Sequence, residues 1–182
     1  MKGPILVPRI RHNDSRGSFE MAFEFEKIRR FCPSVPEIQQ VNILQGVKGS
    51  IRGFHWSEMS NNHWKVLTVV QGVVRDAFLD IRKSSTTYGF VGYLDLDINS
   101  MVSLIIPPGF AHGIQTLSES STTIYATNVS YQKNKEESIS PINSGLSKIW
   151  IAPMIISDRD KVAADFPSIT NVYKMDFKLE RE

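Results

Sequence analysis

The sequence predicts an all-β fold, a sandwich or barrel built from many short strands. Apolar residues recur with a period of two along much of the chain, and turn-forming residues separate these segments at short intervals. Helical periodicity is limited to two short stretches. The length of 182 residues suits one domain, so we expect a single domain over residues 1–182.

Four segments carry the strand prediction. In residues 76–81 and 94–98, apolar side chains occupy every second position (77, 79, 81 and 94, 96, 98), and most of the positions between them are aspartates. This alternation indicates strands with two different faces. Residues 66–70 and 101–106 are denser apolar runs rich in β-branched residues, as expected where both faces of a strand are covered. Glycine, proline and small polar residues mark turns between them, at 71–72, 83–85, 99–100 and 107–109.

Helix is predicted in two places. Apolar residues at three-residue steps over 25–31, ended by Pro33, predict one short helix. Ser157, followed three residues later by Asp160, forms a capping box ahead of residues 162–164 and predicts a second. Asp160 therefore has a simple structural interpretation as part of a helix cap.

Charge and cysteine content exclude several classes of protein. The formal net charge is +2 and the basic residues are scattered, so nucleic acid is not an expected partner. The single cysteine, Cys32, excludes an internal disulfide framework and suits a reducing compartment. No apolar run approaches the ~18 residues needed to cross a bilayer. We expect a soluble, cytoplasmic protein without a membrane partner.

An imidazole, an ammonium and a second imidazole stand among strand-forming residues. They are His55, Lys65 ten residues later, and His112 at the end of a Pro-Pro-Gly-Phe-Ala-His segment. Inside a small barrel these groups could converge and transfer protons. His55 is equally explained as a satisfied core residue, since it lies between two aromatic residues. In a regular strand Arg52 and His55 would point to opposite faces, but Gly53 tolerates a bulge that turns both inward.

Lys65 and the two tyrosines also have two interpretations each. Lys65 lies in an apolar strand, where it either extends its charge to solvent or points into the barrel beside a developing oxyanion. Tyr125 and Tyr131 are six residues apart and so share one face of a strand predicted over 123–131. Simple cross-strand aromatic packing also explains that spacing.

His112 ends a Pro-x-Gly-x-x-His turn of the kind found in the second half of the cupin signature. Metal-binding cupins also carry a His-x-His pair and a glutamate in the first half, of which this chain keeps one histidine, His55. A metal site assembled from His55, His63, His112 and Glu58 is the alternative, but the spacing matches no known ligand pattern. We therefore expect no metal.

Several motifs recur in an order that carries a family resemblance. They are Arg52-Gly53-Phe54-His55, Lys65, the segments 76–82, 84–89 and 107–113, Tyr125 thirteen residues after His112, and the segments 146–150 and 157–160. Together they resemble the dTDP-4-dehydrorhamnose 3,5-epimerase family, cupin-type enzymes of nucleotide-sugar biosynthesis. The resemblance spans roughly residues 14–160 and implies a jelly-roll β-barrel of the cupin type with a few short peripheral helices.

The resemblance also implies roles for individual residues. His55 matches the general base that removes a proton next to the sugar's C4 ketone, and Asp160 matches the carboxylate that orients it. Lys65 matches the cation that stabilises the enolate, and Tyr125 the acid that returns a proton to the opposite face. No cofactor is implied. The substrate-binding positions are Gln40, Asn42, Arg52, His112 and Tyr131, joined by Arg16 and Phe19, which match residues that reach into a neighbouring subunit's site in a homodimer.

Departures from the family pattern surround these positions. Trp56 and Ser57 replace a common Tyr-Gln pair, His63 replaces a glutamine, Leu44 and Gly46 replace serines, and residues 141–143 replace a Trp-Asn-Asp triplet. They leave open the sugar, the nucleotide, the pathway, and inversion at C3, C5 or both. A catalytically silent sugar-binding cupin, a metal-dependent cupin and a cupin 3,4-ketoisomerase remain the alternatives.

Overall fold

Two sheets face each other in the computed structural model, which describes residues 3–57, 62–130, 136–142 and 145–176. Tyr131, and Glu58 of the metal alternative, lie outside the described residues. In chain order the strands are β1 (Ile5–Pro8), β2 (Arg11–Asp14), β3 (Gly17–Glu20), β4 (Gln40–Val47), β5 (Ser50–Ser57), β6 (Lys65–Gln71), β7 (Val73–Asp80), β8 (Phe90–Asp97), β9 (Val102–Ile106), β10 (Phe110–Thr116), β11 (Ser120–Thr127), β12 (Glu136–Ser138), β13 (Ile155–Ile156) and β14 (Asn171–Lys174). The helices are α1 (Phe25–Phe31) and α2 (Asp158–Lys161), and 3-10 turns span Ile98–Ser100 and Leu146–Ile149.

The strands from β4 to β11 form a jelly roll. The first sheet has the order β1-β9-β6-β11-β4, and the second has the order β12-β5-β10-β7-β8-β14, with β13 alongside β5. A separate hairpin pairs β2 with β3. The chain passes repeatedly from one sheet to the other, as the jelly-roll topology requires. The all-β prediction is confirmed.

The two sheets form a sandwich instead of one closed barrel. Within the described residues no backbone ladder joins the two sheets. Two tight turns carry the chain from the first sheet to the second. They contain Gly49 (φ +83°) and Gly72 (φ +73°), which adopt left-handed backbone angles that suit glycine. Strands that follow each other across these glycines therefore face each other and do not pair.

An apolar cluster fills the space between the two sheets at one end and leaves the other end open. Its buried members come from both sheets: Leu67, Val69, Val74, Phe78, Leu94, Leu96, Val102, Leu104, Ile106, Phe110 and Ile114. The dense runs predicted at 66–70 and 101–106 are β6 and β9, and both of their faces are covered, as expected.

Peripheral segments cover most of the outer faces. Helix α1 packs Ile28 on the first sheet beside Trp64, and Ile139, Leu146, Ile149, Trp150 and Phe166 pack on the second sheet around Phe54. The outer face of β4 stays uncovered, because Val41, Ile43 and Val47 are 57%, 71% and 60% exposed. No helix of the described residues is long and apolar enough to cross a membrane.

Two local predictions need correction. The second helix stops at Lys161 instead of continuing through 162–164, although Ser157 does cap it by accepting the Asp160 N–H. Strand β11 ends at Thr127 instead of reaching residue 131. The side chain of Asn128 explains this end, since it accepts from the Trp64 N–H at 2.8 Å and donates to the Asn62 carbonyl at 2.7 Å.

Candidate active site

The open end of the sandwich holds a cavity of about 640 Å³, a size typical of small-molecule sites. Side chains from both sheets and from α2 line it. The predicted site residues that the structure brings to this cavity are Gln40, Asn42, Arg52, His55, Lys65, His112, Tyr125 and Asp160.

A bulge in β5 turns Arg52 and His55 toward the same cavity. His55 pairs with His112 of β10 and Arg52 pairs with Ile114, so three steps along β5 match two along β10. Gly53 lies between them with φ +94°, an angle that L side chains rarely adopt. The distortion expected from the sequence is therefore present.

His55 is held by a buried carboxylate. Its Nε2 lies 2.8 Å from Oδ1 of Asp160, whose side chain is 5% exposed. Burial acts to raise the pKa of Asp160, but the hydrogen bond and charge of His55 and the Ser157 hydrogen bond outweigh it and lower the pKa below its usual value. Because the carboxylate engages Nε2, Nδ1 is the nitrogen on which His55 can receive a proton.

Lys65 places a buried ammonium beside the same histidine. Its Nζ donates to the backbone carbonyl of His55 at 3.3 Å. Burial lowers the pKa of Lys65, while the negative charges of Glu136 and Asp76 act in the opposite direction. The lysine thus points into the cavity and does not extend to solvent.

The second imidazole has its own carboxylate partner. Nε2 of His112 lies 3.0 and 2.9 Å from the two carboxylate oxygens of Asp76, which is 1% exposed. This pairing directs the Nδ1 side of His112 away from Asp76. No sequence motif marks Asp76 as a site residue; the available signal is an acidic residue on the strand face that also carries the buried Phe78.

His63 adds a neutral imidazole to the cavity wall. Its Nε2 lies 2.9 Å from Oγ1 of Thr127. Burial, and then the charge of Lys65, lower the pKa of His63 to about 4. The ring is therefore uncharged at neutral pH.

Tyr125 stands on the sheet opposite His55. On β11 it pairs with Asn42 of β4 and with Leu67 of β6. Gln40 extends this wall and donates from Nε2 to Oδ1 of Asn42 at 2.6 Å. A ligand in the cavity would thus meet an imidazole on one side and a phenol on the other.

Two predicted residues lie away from the cavity. Arg16 and Phe19 belong to the β2–β3 hairpin; the Arg16 side chain is 88% exposed and pairs with Asp14, and Phe19 is 66% exposed. Neither lines the cavity of its own chain.

Glu136 is a cavity residue that the sequence analysis missed. Its Oε2 lies 3.9 Å from His55 Nδ1 and 3.2 Å from Nη1 of Arg159. No motif spacing marks it, because it reaches the site only through the pairing of β12 with β5. Within the described residues, no group of three or more His, Cys, Asp or Glu side chains could hold a metal ion.

A jelly roll whose cavity joins a His–Asp pair, a buried lysine and a tyrosine is a cupin-type fold equipped for proton transfer. Comparison with known proteins gives the family. The family model for dTDP-4-dehydrorhamnose 3,5-epimerase matches residues 1–168, and the chain belongs to that family.

Three similar proteins illustrate the relationship. The dTDP-4-dehydrorhamnose 3,5-epimerase of Mycobacterium tuberculosis is 30% identical over 90% of this chain and 83% of its own length. A dTDP-4-dehydro-6-deoxyglucose 3-epimerase of Streptomyces is 27% identical over 84% of this chain and 79% of its own. Among solved structures, this chain resembles the crystal structure of dTDP-6-deoxy-D-glucose-3,5-epimerase from Legionella pneumophila in complex with dTDP-4-keto-L-rhamnose. The two sequences are 26% identical, and the match covers 89% of this chain and 87% of the Legionella chain with a TM-score of 0.83.

Proposed function

We propose that this protein inverts C3, C5 or both in a nucleotide-activated 4-keto-6-deoxy sugar, such as dTDP-4-dehydro-6-deoxyglucose, by deprotonation and reprotonation through an enolate. One observation carries the proposal: His55 and Tyr125 line one cavity from opposite sheets, with Lys65 beside them. Membership of a carbohydrate epimerase family supports the reaction class.

His55 is the base in this scheme. A hydrogen on a carbon next to a ketone is acidic because the charge left on carbon moves onto the carbonyl oxygen. Nδ1 of His55 receives that proton, and the anionic Asp160 at 2.8 Å from Nε2 stabilises the imidazolium that forms.

Lys65 stabilises the enolate oxygen. Its ammonium is buried, and a charge–charge attraction is much stronger in such a site than in water. The resulting intermediate is planar at the reacting carbon, so a proton can return to either face. No metal or redox cofactor is required by this chemistry.

Tyr125 returns the proton in our scheme. Since it lies on the sheet opposite His55, a sugar ring between the sheets receives its new proton on the face opposite the one that lost it. Inversion therefore follows from the placement of the two groups. Arg52 and His112, with Gln40 and Asn42 on the opposite wall, hold the sugar and diphosphate in our proposal.

Inversion at C3 alone must be distinguished from inversion at both C3 and C5. The relatives include both 3,5-epimerases and 3-epimerases, and all are similarly distant from this chain. Inversion at C5 requires the sugar to present a second C–H to the same base. The products of the assay below, identified by NMR, separate these outcomes and also reveal a 3,4-ketoisomerase.

We further propose that the enzyme is a homodimer with shared active sites. The exposed apolar face of β4, which carries Val41, Ile43 and Val47, and the exposed Phe19 of the hairpin support this. Burying such a surface against a second copy is favourable, and the hairpin would bring Arg16 and Phe19 to the partner's cavity. We expect the enzyme in the cytoplasm, with which the free thiol of Cys32 is compatible.

Deuterium exchange tests the function. With dTDP-4-dehydro-6-deoxyglucose in D₂O, the parent protein should incorporate deuterium next to the ketone and invert that centre. His55→Ala should abolish exchange, whereas Tyr125→Phe should keep exchange and lose inversion, each loss being about 10²–10⁴-fold. Tyr173→Phe, at an exposed position of β14 outside the cavity, is the matched control. Exchange at the parent rate in His55→Ala refutes the base assignment, and saturable binding without any exchange in the parent indicates a silent sugar-binding protein.

A further inference from the structure

The proposed reaction leaves a proton imbalance inside the cavity. After one inversion His55 holds a proton taken from the sugar, and Tyr125 has lost one. Before the next inversion His55 must release its proton to solvent and Tyr125 must regain one from solvent. The inference below rests on this proposed function and concerns the exit route from His55.

Two carboxylates flank the His55 imidazole, and they differ in access to water. Asp160 engages Nε2, and its side chain is 5% exposed. Glu136 lies on the Nδ1 side, with Oε2 at 3.9 Å, and its side chain is 22% exposed. The proton received from the sugar is on the Nδ1 side, so Glu136 is the one of these two carboxylates that can accept it; the His55 side chain is 20% exposed.

The fold holds Glu136 firmly in this place. Strand β12 pairs with β5 so that Ser138 lies opposite His55 and Glu136 lies opposite Ser57, which puts Glu136 on the same face as His55. Arg159 fixes its orientation, since Nη1 lies 3.2 Å from Glu136 Oε2 and Nη2 donates to the Glu136 carbonyl at 2.9 Å. The neighbour of Asp160 in α2 thus anchors the second carboxylate as well.

We infer that Glu136 relays the proton from His55 to solvent between inversions. The imidazolium gives its Nδ1 proton to the Glu136 carboxylate, which yields neutral imidazole and a carboxylic acid, and the acid then gives the proton to bulk water. At 3.9 Å the transfer uses one bridging water molecule or a small rotation of the carboxylate. Glu136 acts through His55 and does not contact the reacting carbon.

A pre-steady-state experiment with substrate in excess over active sites separates this role from a structural one. In this scheme Glu136 acts only between inversions, so Glu136→Gln should complete the first inversion in each site at a rate close to the parent's and then slow by about 10²-fold. Free imidazole added as a small base should restore the slow phase in proportion to its concentration and leave the parent unchanged. Glu136→Asp, which keeps a carboxylate, should recover part of the rate without imidazole.

Glu137→Gln is the matched control, because Glu137 is the neighbouring glutamate on the exposed face of β12. It should behave as the parent in every phase. Steady-state turnover of Glu136→Gln at the parent rate, or a slow first inversion that imidazole does not restore, would overturn the relay while the parent's epimerase activity stands. A parent protein with neither exchange nor inversion would overturn the proposed function and the relay together.

Discussion

Replacing His63 with glutamine should make the free energy of unfolding fall by about 2 kcal/mol less between pH 7.5 and pH 5 than it does in the parent. His63 has a pKa near 6.5 in the unfolded chain and about 4 in the fold, because burial and Lys65 disfavour its charged form. As pH falls through this window the unfolded state binds a proton that the native state does not, so the native state becomes relatively less stable. The linkage amounts to about 2 kcal/mol at pH 5 and about 3 kcal/mol once the pH is below 4.

Urea denaturation at pH 7.5 and pH 5 measures this effect. Glutamine can hydrogen bond to Thr127 as the imidazole does, but it does not titrate, so the free energy of unfolding of His63→Gln should depend on pH by about 2 kcal/mol less than that of the parent. The carboxylates with lowered pKa values, Asp80 at about 2 among them, titrate below this window. An equal pH dependence in parent and variant would show that His63 is not held neutral in the fold.

Three further predictions follow from the site and the surface. Lys65→Met should lower kcat by about 10²–10³-fold while nucleotide binding, measured by calorimetry, is retained, because the variant loses the charge beside the enolate oxygen; an unchanged kcat would contradict the role of Lys65. Gly53→Ala should lower the free energy of unfolding by about 1–3 kcal/mol in urea, because the added Cβ would clash with the carbonyl oxygen of His112 and φ is +94°; parental stability would show that the bulge tolerates a side chain. If the parent sediments as the proposed dimer, Ile43→Asp should sediment as a monomer, since it places a charge in the exposed apolar face of β4; a parent protein that is itself monomeric would refute the proposed assembly.

Short-range patterns were sufficient to predict much of the fold and part of the site. The three-residue steps over 25–31 gave α1 with its observed bounds, and the apolar runs gave β6 and β9. Gly53 indicated the bulge that brings Arg52 and His55 to one cavity, because glycine is the residue that such a backbone requires. These features depend on residues that are close together in the sequence, so the local sequence pattern is sufficient to predict them.

The features that were not predicted depend on contacts between distant segments. Glu136 reaches His55 because β12 joins the edge of the second sheet, and a strand of three residues has too little pattern to be recognised. Asn128 ends β11 by bonding to Trp64 and Asn62, which lie more than sixty residues earlier. The strand pattern left a sandwich and a barrel both open, because periodicity shows that strands exist but does not show which of them pair.

The apolar cluster between the sheets has a consequence for stereochemistry. Because His55 stands on one sheet and Tyr125 on the other, side chains such as Phe78 and Ile114, which hold the sheets apart, set the gap that the sugar ring would occupy in the proposed mechanism. Facing sheets are ~10 Å apart. If the gap were wider by one methyl group, a planar intermediate could tilt within it and water could enter. In the proposed mechanism, the stereochemical fidelity of the inversion therefore depends on the distance between the two sheets as much as on His55 and Tyr125.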